Sequence, residues 1–255
     1  MATELGPLLA DLRAEQADLA ALVAGGDLDT PTPAEGWDVR DAISHLAGTD
    51  REALKAATEP DRFLAELPTV AADIDGFLRG QLEAGRAMGD GLWGWWEEGF
   101  GALVQGLEQL PPGARLPWYG PPMSVPSMVT ARLMEYWAHG QDVADGLGVT
   151  RAPTARLRHI CHLGVRTRSF AYANRGLPVP DGEVAVSLVA PDGAVWSWGT
   201  GEDLVSGTAE DFCLLVTQRR HRSDTALVAS GPLAEDWLAV AQCFAGPPGP
   251  GRPPR

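Results

Sequence analysis

The sequence predicts an α plus α/β fold in two parts. A four-helix bundle is expected over residues 1–150, a small α+β domain over 151–245, and a disordered tail over 246–255. Three observations predict it. Apolar residues recur at threes and fours through the first 150 positions, the spacing of a helix face. Between Val184 and Trp198 that period gives way to two short runs rich in β-branched and aromatic residues. The end, Gly246-Pro-Pro-Gly-Pro-Gly-Arg-Pro-Pro-Arg255, has nothing to bury.

Within Leu5–Ala24, residues Leu8, Leu9, Leu12, Leu19, Leu22 and Val23 share one face, and Gly25-Gly26 stops the helix. Thr30-Pro-Thr-Pro-Ala-Glu-Gly-Trp37 is a loop, because two prolines and a glycine cannot extend a helix. Asp38 and Asp41 place carboxylates at the start of a second helix, where the dipole favours them, and that helix runs to about Ala57. From Glu59-Pro60-Asp61 to Leu110 the chain reads as helical in pieces, interrupted by six glycines from Gly76 to Gly94. Leu110-Pro-Pro-Gly to Pro121-Pro122 is a loop. Ser124-Val-Pro126 opens another helix, which ends at Asp145-Gly-Leu-Gly148.

After Arg151-Ala-Pro153 one helix is expected over Thr154–Asn174. Val184–Val189 and Ala194–Trp198 then form a hairpin about Pro191-Asp192-Gly193, with Leu204-Val205 as a third short strand. Ala209–Gln218 is a helix, Ala226–Ser230 a strand, and Leu233–Phe244 the last amphipathic helix.

Composition limits the function. Thirty-four acidic against twenty basic side chains give a net charge of −14 over 255 residues, which argues against a nucleic-acid partner. Cys161, Cys213 and Cys243 form no Cys-x-x-Cys pair, so no disulfide framework is expected. No apolar run of about 18 residues suggests a membrane span, and Met1-Ala-Thr-Glu-Leu-Gly6 lacks a secretory pattern. The expectation is a cytoplasmic protein, monomeric or homodimeric.

Only five histidines occur, so their placement carries information. Glu135 and His139, four apart on a helix, differ by about 40° around its axis and lie on one face, where both can reach one cation. Alone, they read as an ordinary surface pair. His45 stands at the edge of the apolar stripe Val39, Ala42, Ile43 and Leu46. In a bundle it can meet the Glu/His pair. Two imidazoles and one carboxylate leave an open coordination position, the arrangement of a catalytic metal.

Asp142 reads either as an acceptor orienting His139 or, the preferred reading, as a partner of Arg40. His159-Ile-Cys161-His162 does not converge on a second metal, since Cys161 points away from the two histidines. Among nine tryptophans, Trp118 with Tyr119 is placed to line a pocket above the metal. No Gly-x-Ser-x-Gly elbow supplies another nucleophile.

Gly36-Trp37-Asp-Val-Arg-Asp with His45, followed by Glu135-x-x-x-His139-x-x-Asp142-Val143, resembles the DinB-like superfamily. More narrowly it is similar to the mycothiol-dependent maleylpyruvate isomerase family and its actinobacterial metal-binding relatives. Val205-Ser-Gly207-Thr-Ala-Glu-Asp211 leading to Arg219-Arg220-His221 is similar to that family's small C-terminal domain. The resemblance implies a divalent metal, zinc, on His45, Glu135 and His139. It also implies mycothiol as the low-molecular-weight thiol activated there for isomerisation or S-transfer on a small electrophilic or acidic substrate. Arg219 or Arg220 aligns with an arginine that clamps the substrate. The pair equally reads as cations suited to a helix C-terminus. Two rivals stay open: a thiol-independent Lewis-acid lyase, cyclase or hydrolase of specialised metabolism, and a non-enzymatic metal- or thiol-binding module.

Overall fold

The computed structural model describes residues 5–111, 113–249 and 251–254, and the chain divides into two compact units between Thr150 and Arg151. In the first unit, α1 (Leu5–Val23), α2 (Val39–Thr58), α5 (Leu92–Glu108) and α6 (Val125–Leu147) are the long helices. α1 packs along α6, and α2 packs against both α5 and α6. Between α2 and α5 the glycine-rich stretch forms α3 (Pro60–Ala72), α4 (Ile74–Ala87) and a 3-10 turn at Gly89–Gly91. Pro60 opens α3 where a missing N–H is harmless, and the Asp73 carboxylate accepts from the Gly76 N–H to start α4. The long loop before α6 carries a two-stranded antiparallel pair, β1 (Arg115–Leu116) and β2 (Met123–Ser124), that the sequence did not announce.

Leu8, Leu9, Leu12 and Leu19 of α1 are buried, as are Ile43 and Leu46 of α2, Leu103 and Leu107 of α5, and Met128, Val129 and Leu133 of α6. One polar network crosses this apolar core. Arg132 Nε of α6 donates to Asp50 Oδ1 of α2 at 3.0 Å, and Tyr136 OH donates to Asp50 Oδ2 at 2.6 Å. Trp96 Nε1 of α5 donates to Tyr136 OH at 2.7 Å. Three helices are thereby fixed in register at one level, beside the stretch that carries His45 and Glu135.

The second unit has a four-stranded mixed sheet in the order β4-β3-β5-β6, formed by β3 (Val184–Val189), β4 (Val195–Trp198), β5 (Asp203–Thr208) and β6 (Val228–Ser230). β3 pairs antiparallel with β4 across the expected hairpin and parallel with β5 on its other side. The strand expected at Leu204-Val205 is therefore six residues long and central, since both its edges are paired. α7 (Leu157–Arg166), α8 (Arg168–Asn174), α9 (Ala209–Val216) and α10 (Pro232–Val240) complete the unit.

Several boundaries differ from the sequence reading, with α9 ending at Val216 rather than Gln218 and β6 opening at Val228 rather than Ala226. The helix expected over Thr154–Asn174 opens at Leu157 and breaks at Thr167, whose hydroxyl donates back to the carbonyls of Leu163 and Gly164. The last helix stops at Val240 rather than Phe244, because Ala241 turns extended and the Cys243 N–H donates instead to the Val216 carbonyl at the end of α9. From Gly246 onward the described residues form no regular element. The Asn174 amide donates to the Gly246 carbonyl, and the Arg175 guanidinium to that of Gly249. Among the described residues no helix is long and apolar enough to cross a membrane.

Candidate metal centre

Local chemistry sets the start of α2. Asp38 is its N-cap: the side chain accepts from the Asp41 N–H at 2.8 Å, and the Asp41 carboxylate accepts from the Asp38 N–H. Arg86 of α4 donates to both carboxylates, bidentate to Asp41 at 2.9 and 2.7 Å. Two turns further on, His45 faces α6. Ser124 caps α6, Pro126 lies in its first turn, and Gly148 closes it in the left-handed region at φ 68°. Glu135 and His139 stand one turn apart on the side of α6 that meets α2.

One nitrogen or oxygen from each of His45, Glu135 and His139 lies within 4.8 Å of the other two, the one such cluster among the described residues. Glu135 Oε2 is 3.4 Å from His139 Nε2 and 3.9 Å from His45 Nε2. Both imidazoles turn their other nitrogen away from the cluster. His45 Nδ1 is 3.2 Å from Gln81 Oε1 of α4, and His139 Nδ1 is 3.4 Å from Asp142 Oδ2. The His45, Glu135 and His139 side chains are 12, 21 and 10% exposed, so the cluster is sheltered but retains a route to solvent.

Protonation states suit a cation. Burial is the main influence lowering the His45 pKa, and the positive charges of His139 and Arg132 add to it against the pull of Glu135. Burial alone would raise the Glu135 carboxyl, but its hydrogen bonds and charge interactions with His139 and His45 outweigh that and hold it well below the usual carboxylate range. The resemblance noted in the sequence implies a zinc ion. A tetrahedral ion with donors at about 2.0–2.2 Å separates them by roughly 3.4 Å. The observed spacings lie near that value, and the two-imidazole, one-carboxylate set is suited to the ion.

The centre also carries an aromatic residue, the tryptophan of the Gly36-Trp37 motif. Trp37 stacks on His139 with ring centroids 5.6 Å apart and planes 14° from parallel, and lies 5.3 Å from the His45 ring. Its loop is tied back on itself: the Trp37 carbonyl accepts from the Thr32 N–H and hydroxyl, and the Val39 N–H donates to the Thr30 carbonyl. Gly146 of α6 lets the loop approach, since a Cβ there would stand 2.6 Å from the Pro31 carbonyl oxygen. Only the bare Gly36-Trp37 preceding a cap signalled this arrangement.

The other candidate residues have these partners. Arg40 donates to Asp29 Oδ1 at 3.2 and 3.1 Å and not to Asp142, as the preferred reading had it; Asp142 Oδ2 lies 3.4 Å from His139 Nδ1. Trp118 stacks on Phe63, and Tyr119 packs on Phe63 and Phe77 with its hydroxyl donating to Glu52. That pair seals α3 and α4 against α2, and the aromatic wall at the histidines is Trp37 instead. Cys161 is buried with its sulfur 3.5 Å from that of Cys213 and joins no metal cluster with His159 and His162. Arg219 and Arg220 follow α9 in the second unit. Their guanidinium groups donate to the carbonyls of Thr217 and Arg219, at 2.6 and 2.8 Å, where a helix end presents negative charge.

Comparison with known proteins follows the same lines. Two curated relatives, uncharacterized proteins from two strains of Mycobacterium tuberculosis, are each 49% identical over 253 residues, covering 97% of this chain and 98% of their own length. A crystal structure of the mycothiol-dependent maleylpyruvate isomerase matches at 15% identity with a TM-score of 0.60, covering 91% of this chain and 96% of that one. A histidine-to-alanine mutant of that isomerase matches with a TM-score of 0.59 at 14% identity. At such identities the likeness establishes the shared fold. Residues 9–144 match the family described as the mycothiol maleylpyruvate isomerase N-terminal domain, and the chain belongs to that family.

Proposed function

We propose that this protein is an enzyme that binds a divalent metal, zinc, through His45, Glu135 and His139, and uses it to activate mycothiol for isomerisation or S-transfer on a small electrophilic or acidic molecule. The observation that carries the reading is the convergence of those three donors from two helices, in a chain of the mycothiol maleylpyruvate isomerase family. When bound, such an ion supplies Lewis acidity and favours the thiolate over the thiol near neutral pH.

The chain's own residues have definite tasks. Glu135, kept anionic between two imidazoles, supplies the negative charge of the site. His45, kept neutral by burial, offers a lone pair rather than a proton. Asp142 orients the His139 ring through Nδ1. The Trp37 indole gives the centre an apolar wall against which a flat conjugated substrate can lie. The substrate-binding role of Arg219 or Arg220 rests on the family likeness. It predicts a raised KM for an acidic substrate in Arg219→Ala or Arg220→Ala, with metal content unchanged.

Metal analysis of the purified chain beside His45→Ala tests the ligands. About one zinc per wild-type chain and little in the variant is expected for a three-ligand site, and equal metal in both overturns the assignment. Calorimetric titration with mycothiol then tests the thiol. Heat from zinc-loaded but not metal-free protein supports it. Silence from both discards the thiol and leaves a Lewis-acid enzyme.

A further inference from the structure

We propose that Gln81 is a positioning residue for this metal centre: its Oε1, held in place above Gly48, accepts from Nδ1–H of His45 and so fixes the tautomer in which Nε2 carries the lone pair. The inference rests on the metal reading above and adds a residue outside the ligand set.

The placement of Gln81 follows from the packing of α4 on α2, which pairs residues in antiparallel register. Gly85 lies against Ser44 and, one turn away on each helix, Gln81 lies against Gly48. A Cβ at Gly85 would stand 1.9 Å from Ser44 Oγ and 2.3 Å from Ser44 Cβ, so the helices meet here only because Gly85 has no side chain. A Cβ at Gly48 would stand 2.9, 3.0 and 3.1 Å from Gln81 Cγ, Cδ and Cβ. The Gln81 side chain therefore runs across bare backbone to reach His45, three residues before Gly48. The Arg86 bridge to Asp38 and Asp41 clamps the same two helices at the other end of the contact.

Stability alone does not account for a glutamine here. Gln81 is 8% exposed, and its Nε2 is buried with no hydrogen-bond partner. A buried donor left unpaired costs about 1–3 kcal/mol, so an apolar side chain of the same length would serve the helix contact better. What glutamine adds is a neutral acceptor at one nitrogen of one imidazole. A metal-binding histidine needs such an acceptor on its second nitrogen, to set the ring's tautomer and its angle. Asp142 occupies the equivalent position for His139. Each imidazole of the pair is thus backed by an oxygen, one neutral and one acidic.

The test uses the full chain, stripped of metal, with Zn²⁺ and Co²⁺ as the probes. Gln81→Leu is expected to weaken Zn²⁺ binding by about 10–100-fold in chelator competition. Its metal-free melting temperature should equal or exceed that of the wild type. Gln81→Glu, which keeps an acceptor, should restore affinity and the wild-type Co²⁺ absorption spectrum. Gly48→Ala, which displaces the side chain from outside, should fall between the two. Nitrogen-15 NMR of metal-free protein should find the His45 proton on Nδ1 in the wild type and redistributed in Gln81→Leu.

An Nε2–H tautomer for His45 in the wild type, or Zn²⁺ affinity unchanged in Gln81→Leu, overturns the proposal while leaving the ligand set standing. A wild-type chain that binds neither ion overturns both together.

Discussion

Replacing Tyr136 with Phe deletes one oxygen from the junction of α2, α5 and α6 and leaves the ring in place. That oxygen donates to Asp50 Oδ2 at 2.6 Å and accepts from Trp96 Nε1 at 2.7 Å. Tyr136, Trp96 and Asp50 are each 0% exposed, so water cannot take over either bond without opening the core. In the variant the indole N–H loses its acceptor, and the Asp50 carboxylate is left with Arg132. An unpaired neutral donor costs about 1–3 kcal/mol, and a lost bond to a buried charge about 1.5–3. With no cavity term from an isosteric ring, the sum is roughly 3–5 kcal/mol.

At about 2–4 °C per kcal/mol for a chain of this size, the melting temperature should fall by roughly 10 °C. Denaturant unfolding of the metal-free protein should show the midpoint lowered at unchanged slope, in the transition belonging to the first unit. Burial, reinforced by the Asp50 charge, pushes the Tyr136 phenol well up, so it remains a donor and the loss should not vary across the neutral range. A loss below about 1 kcal/mol would show that the junction admits water, and would refute the argument that a dry network fixes the register of these helices.

Three further outcomes are expected. Trp37 lies against both imidazoles, so Co²⁺ should quench the intrinsic fluorescence, and Trp37→Phe should lose most of that quench; Gly146→Ala, which pushes on the Pro31 carbonyl, should reduce it. In the metal-free chain, the lowered His45 pKa means that the unfolded state takes up a proton the folded state resists. Stability is therefore full above about pH 6.5 and drains as pH falls, with Glu135 adding its loss below about 4.5; acid titration of His45→Asn should show a flatter upper limb. Tyr172, raised to about 12 by burial first and then by its bond to Asp236, keeps its stabilising contribution below pH 10 and loses it as pH rises through 12; Tyr172→Phe should remove that alkaline limb, read by tyrosinate absorbance.

How much of this was legible in the chain depends on how local each feature is. The long helices were readable because a 3.6-residue period and a cap are short-range: Asp38 with Asp41 marks the start of α2, and Gly148 the end of α6. The facing of Glu135 and His139 belongs to the same class, since spacing alone stacks them. Gln81 was invisible because its position depends on α4 meeting α2 in one register, and the glycines that permit this read only as helix breakers. Gly85 and Gly48 are packing contacts, whose meaning exists only once the partner helix is known. The break at Thr167 was hidden as well, since Thr49 bonds back to His45 and Leu46 in the same way inside an unbroken α2. The parallel pairing of β3 and β5 was equally out of reach, because a two-residue apolar hint says nothing about which strand edge it will join.

The two polar clusters on α2 and α6 differ in a way that separates structure from function. Around Asp50 donors and acceptors answer one another, and the residues are wholly buried. Such a network contributes to register and gains nothing from a ligand. Around His45 the arrangement is the reverse. An anionic carboxylate stands between two imidazole nitrogens at 3.4 and 3.9 Å, Gln81 leaves a buried donor unanswered, and the ring nitrogens nearest the carboxylate are those not held by Gln81 and Asp142. A sequence selected for stability alone would not keep that constellation a turn and a half from a satisfied one on the same pair of helices. Local violations of good packing concentrate where a site must be held ready for something else. Under the proposed function, a cation bound there would satisfy all three donors at once.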